Sequence, residues 1–98
     1  MQTITPGQLK KLLEQNSELT LLDVREIWER EEYNIGGIHI PLNEIMDRSN
    51  EIPADKDVVV YCRKGIRSMI AIQRLEQKDF KKLINLSGGM DAWLNSSP

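Results

Sequence analysis

The segment Val58-Val59-Val60-Tyr61-Cys62-Arg63-Lys64-Gly65-Ile66-Arg67-Ser68 decides the architecture. Val58 to Tyr61 is a β-branched run with no polar alternation. Such runs are strands covered on both faces, as in a parallel sheet sandwiched by helices. From Arg67 to Lys78, Met69, Ile70, Ile72 and Leu75 supply the apolar positions of a helix. A buried strand, a short cationic loop and a helix succeed one another without a linker, which is one βα unit of an α/β domain.

The flanks repeat the pattern. Upstream, Leu19 to Val24 reads as a buried strand and Glu26 to Tyr33 as a short helix, broken at Gly36-Gly37. Ile38-His39-Ile40 is a short strand closed by Pro41, Leu42 to Met46 another short helix, and Ile52 to Asp57 a turn-rich connector. Near the N-terminus, Thr5-Pro6-Gly7-Gln8 has capping-box spacing with proline at the first helical position. Leu9, Leu12 and Leu13 then share one helical face, and Asn16 and Ser17 end it. Downstream, Lys82 to Leu86 is the last strand, Gly88-Gly89 a turn, and Met90 to Asn95 a closing helix before a frayed tail, Ser96-Ser97-Pro98. The expectation is a single α/β domain over residues 1–98, with a mostly parallel sheet and helices on both faces.

Composition narrows the function classes. Thirteen Lys and Arg stand against fifteen Asp and Glu in 98 residues, a net charge of −2. That leaves no basic footprint for nucleic acid. Val58 to Cys62 is the longest apolar run, far below the ~20 residues of a membrane helix, and Met1 to Gly7 lacks the pattern of an export signal. The lone cysteine forms no internal disulfide, and with a single histidine it does not fill a structural zinc site by itself. The expectations are a cytoplasmic, reducing compartment and a monomer, since nothing demands assembly.

Cys62 sits at the carboxyl edge of the strand, where open α/β sheets bind ligands. An ordinary cysteine is only ~3% thiolate at pH 7, so a nucleophile needs positive charge and donors around its sulfur. A helix N-terminus gives ~0.3–1 kcal/mol at the surface and falls short alone. Arg63, Lys64 and Arg67 add charge, and the amides from Arg63 to Ser68 can curl into an anion-holding nest, with Gly65 where the loop needs a positive φ. The competing reading, a small buried hydrophobe, is the commoner fate of a lone cysteine. Its place between a strand, a cationic loop and a helix onset outweighs that.

Three stretches carry a family likeness. Cys62-Arg63-Lys64-Gly65-Ile66-Arg67-Ser68 resembles the active-site loop of rhodanese-like sulfurtransferases, C-x-x-G-x-R-S. Leu21-Leu22-Asp23-Val24-Arg25-Glu26 resembles that family's early strand-end motif, and Asn85 to Trp93 its late L-x-G-G-x-x-A-W signature. The resemblance implies a sheet of about five parallel strands and a persulfide relay that needs no metal or organic cofactor. Cys62 would be the nucleophile, and Arg63, Lys64, Gly65, Ile66, Arg67 and Ser68 would form the substrate cradle, with Arg67 the cation nearest the anion. The implied partners are a small anionic sulfur donor and an acceptor that is a thiol, cyanide or a small sulfur-carrier protein. Ile35-Gly36-Gly37-Ile38-His39-Ile40-Pro41-Leu42 looks more like the rhodanese domain behind adenylating domains in molybdopterin-synthase sulfurylases. Cys62 to Arg67 is Cys-x4-Arg, whereas cysteine phosphatases use Cys-x5-Arg, and position 68 is serine.

Other residues read as support. Asp23 is expected to accept hydrogen bonds, and Arg25 to pair with a carboxylate such as Glu29. His39 is expected to be structural rather than a general base, and Trp28 and Trp93 to pack helix against sheet. Glu26, Glu29, Glu31 and Glu32 are expected to form a solvated helix face, and Met69 and Met90 to pack in the core. Two other functions compete: a rhodanese-like partner-binding or carrier-activating domain of a larger protein, and a phosphatase or arsenate reductase with a related loop. The presence of Cys62 weighs against the first and the Cys-x4-Arg spacing against the second.

Overall fold

In the computed structural model, which describes residues 1–15 and 18–96, five strands form one parallel sheet. They are β1 (Gln2–Ile4), β2 (Thr20–Asp23), β3 (Ile38–His39), β4 (Val58–Tyr61) and β5 (Leu83–Leu86), in the order β1-β5-β4-β2-β3. The α-helices among the described residues are α1 (Pro6–Gln15), α2 (Ile27–Glu32), α3 (Ile66–Glu76) and α4 (Gly89–Asn95). All four β4 residues are buried, because successive side chains enter opposite cores. Val58 and Val60 join Leu22, Ile72 and Leu75 on the α3 face. Val59 and Tyr61 join Leu9, Ile84 and Leu86 on the face covered by α1 and α4. Burial on both sides explains the missing alternation in the sequence.

Thr5 and Gln8 cap α1 reciprocally: the Thr5 amide donates to Gln8 Oε1 at 3.0 Å, and the Gln8 amide to Thr5 Oγ1 at 3.2 Å. The expected stop at Asn16 and Ser17 lies outside the described residues, as do Ser97 and Pro98 of the expected frayed tail. Ser96 is fastened rather than frayed, since Lys10 Nζ donates to its carbonyl and to that of Trp93, each at 3.3 Å.

Several expectations need correction. β1 is a strand that the sequence pattern does not announce. It has three residues, pairs Gln2 with Ile84 and Ile4 with Leu86, and buries only Ile4, too little apolar pattern to read in a sequence. Leu42 to Met46 is not an α-helix but a single 3-10 turn at Leu42–Glu44, and a second such turn occupies Ser49–Glu51. Trp28 does not pack against the sheet and is 57% exposed. Met69 is also exposed, whereas Met90 is buried in the core beside α1. Trp93 packs against that core with the Lys10 ammonium 4.8 Å from its ring centroid. Among the described residues no helix is long and apolar enough to cross a membrane.

Candidate active site

The chain leaves β4 at Tyr61, and Cys62 comes directly after it at the carboxyl edge of the sheet. Gly65 then turns the chain at φ 93° and caps α3. This is the positive φ expected there, and it costs glycine nothing. The turn aims two amides back at the cysteine: Gly65 N–H donates to Cys62 Sγ at 3.1 Å, and Ser68 N–H at 3.3 Å. Ser68 Oγ lies 3.4 Å from the same sulfur. Cys62 is 1% exposed, its sulfur faces these donors, and the residue lines a cleft of about 180 Å³. Arg63, Lys64, Ile66 and Arg67 line the rest of it.

α4 clamps the loop from outside. The Met90 and Asp91 amides at its first turn donate to the carbonyls of Cys62 (2.9 Å) and Arg63 (3.0 Å). Gly89 makes that approach possible, since a Cβ there would run into both carbonyls. From β5, Asn85 Nδ2 donates to the Gly65 carbonyl at 3.1 Å, and Ser68 Oγ donates to Asn85 Oδ1 at 2.5 Å. Asn85 and Ser68 are both buried. The cradle is thus held from α4 and β5, elements distant from it in sequence.

Arg67 lines the cleft with Cys62 and is fastened to α2. Its two terminal nitrogens grip the Glu29 carboxylate at 2.6 and 2.8 Å. The Arg67 guanidinium holds the Glu29 carboxyl down at about 2, against an ordinary 4.5. Bonding to Glu29 in turn raises Arg67. Glu29 is therefore buried and structural, not part of a solvated face, and Arg67 has part of its charge already committed. Arg63 and Lys64 remain exposed at the mouth, Arg63 within 3.4 Å of Asp91.

Asp23 and Arg25, from the end of β2, form a closed unit beside this loop. Arg25 pairs with Asp23 rather than with the Glu29 carboxylate: Nε and Nη2 each lie 2.9 Å from an Asp23 oxygen. The Arg25 amide and Arg30 add further donors to Asp23, at 3.0 and 3.3 Å. Arg25 reaches Glu29 only through its carbonyl, at 3.4 Å, and Tyr33 through its carbonyl, at 2.7 Å. Two residues so adjacent and so oppositely charged satisfy each other first. His39 Nε2 donates to the Arg25 carbonyl at 2.8 Å, a structural placement as expected.

Sequence reasoning passes over Glu29 and Asn85 as parts of this site. Asn85 carries a signal, a polar residue inside the apolar strand Leu83-Ile84-Asn85-Leu86, since buried polar groups need partners. Glu29 carries none, because three neighbouring glutamates hide it.

A model of the rhodanese-like domain matches residues 5–96, nearly the whole chain. The chain belongs to the rhodanese-like domain family. It is 38% identical over 91 residues to the putative sulfurtransferase YtwF of Bacillus subtilis, covering 92% of this chain and 87% of that protein. The putative sulfur carrier protein YrkF of the same organism is 39% identical over 85 residues, 86% of this chain, which spans only 46% of YrkF. The probable adenylyltransferase/sulfurtransferase MoeZ of Mycobacterium tuberculosis is 31% identical over 94 residues, 93% of this rhodanese-like chain and 24% of MoeZ. Among solved structures, a rhodanese-like domain protein from Staphylococcus aureus superposes with a TM-score of 0.88 at 30% identity, over 95% of this chain and 91% of that one.

Proposed function

We propose that this rhodanese-like domain is a sulfurtransferase that carries sulfane sulfur as a persulfide on Cys62. The observation that carries the reading is the pair of backbone amides, Gly65 and Ser68, converging on the sulfur of a cysteine that lines a cationic cleft. Such donors hold a negative charge at that atom better than water-exposed groups do. Sulfurtransferases among the relatives support the reaction class.

In the first half-reaction the Cys62 sulfur attacks the outer sulfur of the donor. An Sγ–S bond forms as the donor's S–S bond breaks, and the electron pair leaves with sulfite when the donor is thiosulfate, or with a thiolate when it is a protein persulfide. In the second, an acceptor thiol or cyanide attacks the outer sulfur and Cys62 departs as thiolate. The sequence is ping-pong covalent catalysis. Arg63 and Lys64 draw the anionic donor to the mouth, while Arg67, fastened to Glu29, shapes the wall. A small sulfur-carrier protein is the proposed macromolecular acceptor, in keeping with the names of YrkF and MoeZ. A working free thiol suits the reducing cytoplasm, where we place the domain.

Incubation with thiosulfate is expected to add one sulfur mass to the protein, removable by reductant. Cys62→Ala should abolish both this adduct and thiocyanate formation from cyanide. A sulfur adduct that survives on the Ala variant would end this reading.

A further inference from the structure

Asn85 lies between Ile84 and Leu86 on β5, and the direction of its amide is fixed by its neighbours. The Gly65 carbonyl can only accept, so it meets the Asn85 amine. The Asn85 oxygen then faces Ser68 Oγ, and it too can only accept. The single Ser68 hydroxyl proton is therefore directed at Asn85. What Ser68 presents to the Cys62 sulfur, 3.4 Å away, is a lone pair.

This arrangement suits a thiol, whose S–H donates to Ser68 Oγ. A bare thiolate keeps the two amide donors but is faced by that lone pair unless the hydroxyl proton turns toward it, and that turn strips a buried amide oxygen of its donor. We infer that Asn85 is a positioning residue that sets the direction of the Ser68 hydroxyl and so couples ionisation of Cys62 to rotation of that one hydroxyl. On ionisation the thiol proton leaves to solvent and the hydroxyl swings to the sulfur. Once Cys62 carries a second sulfur, Sγ is neutral and the hydroxyl returns to Asn85. The Ser68–Asn85 pair thereby works against the anion that the two amides favour, and it is satisfied without turning in the thiol and in the loaded persulfide. The inference rests on the sulfur-transfer reading only for the loaded state.

Other charges around the sulfur are Arg63, Lys64 and Arg67 lining the cleft. Glu29 on α2 is bound to Arg67, Asp91 on α4 faces Arg63, and Asp23 with Arg25 at the end of β2 are paired together. Substitution of Asn85 by leucine changes none of them.

The test is the pH profile of Cys62 alkylation by iodoacetamide, read by intact mass on the full chain, whose one cysteine makes the readout unambiguous. Asn85→Leu keeps the branched outline and heavy-atom count of the side chain and frees the hydroxyl. Its rate at pH 6, relative to its alkaline plateau, is expected to rise about tenfold over that of the wild type. Asn85→Asp keeps an acceptor on Ser68 and adds negative charge, so its profile should move toward higher pH. In a Ser68→Ala background Asn85→Leu should add nothing. Superposable profiles for Asn85→Leu and the wild type would overturn the inference, as would a displacement of equal size without the Ser68 hydroxyl. Should the leucine variant not fold, an Asn85→Asp profile that fails to move alkaline overturns it alone. Thiosulfate loading of the wild type is measured in parallel. Its failure would sink the sulfur-transfer reading and leave the alkylation result standing.

Discussion

Two neighbouring strands end side by side at the same edge of the sheet, with Asp23 of β2 in register with Tyr61 of β4. Both strand ends run into charged residues, and the outcomes are opposite. At the end of β2, Asp23 is fully buried and both of its carboxylate oxygens are filled by Arg25 and Arg30. Beyond β4, two peptide donors converge on the Cys62 sulfur, while Arg63 and Lys64 project into solvent. Burial does not separate the two ends, since Cys62 and Asp23 are both inside. They differ in whether hydrogen-bonding capacity is consumed between paired charges or focused on one sulfur. One end is a scaffold and the other the proposed site.

The contrast breaks first at Asp23. Asp23→Ala leaves the Arg25 guanidinium buried without its carboxylate, which costs about 3–5 kcal/mol. The melting temperature, monitored by circular dichroism, should fall by roughly 12 °C or more. Thiosulfate loading per folded molecule should persist; its loss would place Asp23 in the chemistry and dissolve the distinction.

Glu29 joins the two ends, taking Arg67 with its carboxylate and Arg25 with its carbonyl. Its folded-state value of about 2 lies below the ordinary 4.5. The stability it confers is therefore complete above pH ~4.5 and drains away as pH falls toward 2. With Arg67 a third exposed, screening leaves roughly 1–2 kcal/mol. Glu29→Gln should lose that amount at pH 7 in urea unfolding, and the gap to the wild type should close near pH 2. A gap constant with pH would show that the ion pair is not its source.

Lys64 gives the smallest effect and sharpens the picture of the open end. Lys64→Gln should raise the KM for thiosulfate about threefold at low salt and leave it unchanged at high salt, with no shift in melting temperature. A salt-independent change would point to a direct contact instead of attraction at a distance.

Features legible in the sequence are those set by near neighbours. Val58 to Tyr61 announces a strand covered twice, Thr5 and Gln8 announce each other, and Gly65 marks a turn because no other residue takes φ 93° freely. The positions of Cys62, Gly65 and Ser68 around one loop are readable because a short stretch of chain holds them all. The hidden features depend on residues far apart in the chain. Arg67 meets Glu29 across 38 positions and Ser68 meets Asn85 across 17, so no local pattern records either pairing. Arg25 departs from expectation for the opposite reason: its partner stands two residues away, and that short reach wins over the longer one to the Glu29 carboxylate. β1 escapes because a three-residue edge strand with one buried side chain carries almost no periodicity.

The pairing of β1 with β5 also bears on how the molecule is made. Of the five strands, β1 leaves the ribosome first, yet its hydrogen-bonding partners at 84–86 belong to the strand that emerges last. The opening strand must wait, unpaired, until the other four have been synthesised, and every other strand joins its neighbour through a crossover. Acquisition of the native state is thus governed by late, long-range closure, which is slow for parallel topologies and leaves nascent edges open to wrong partners.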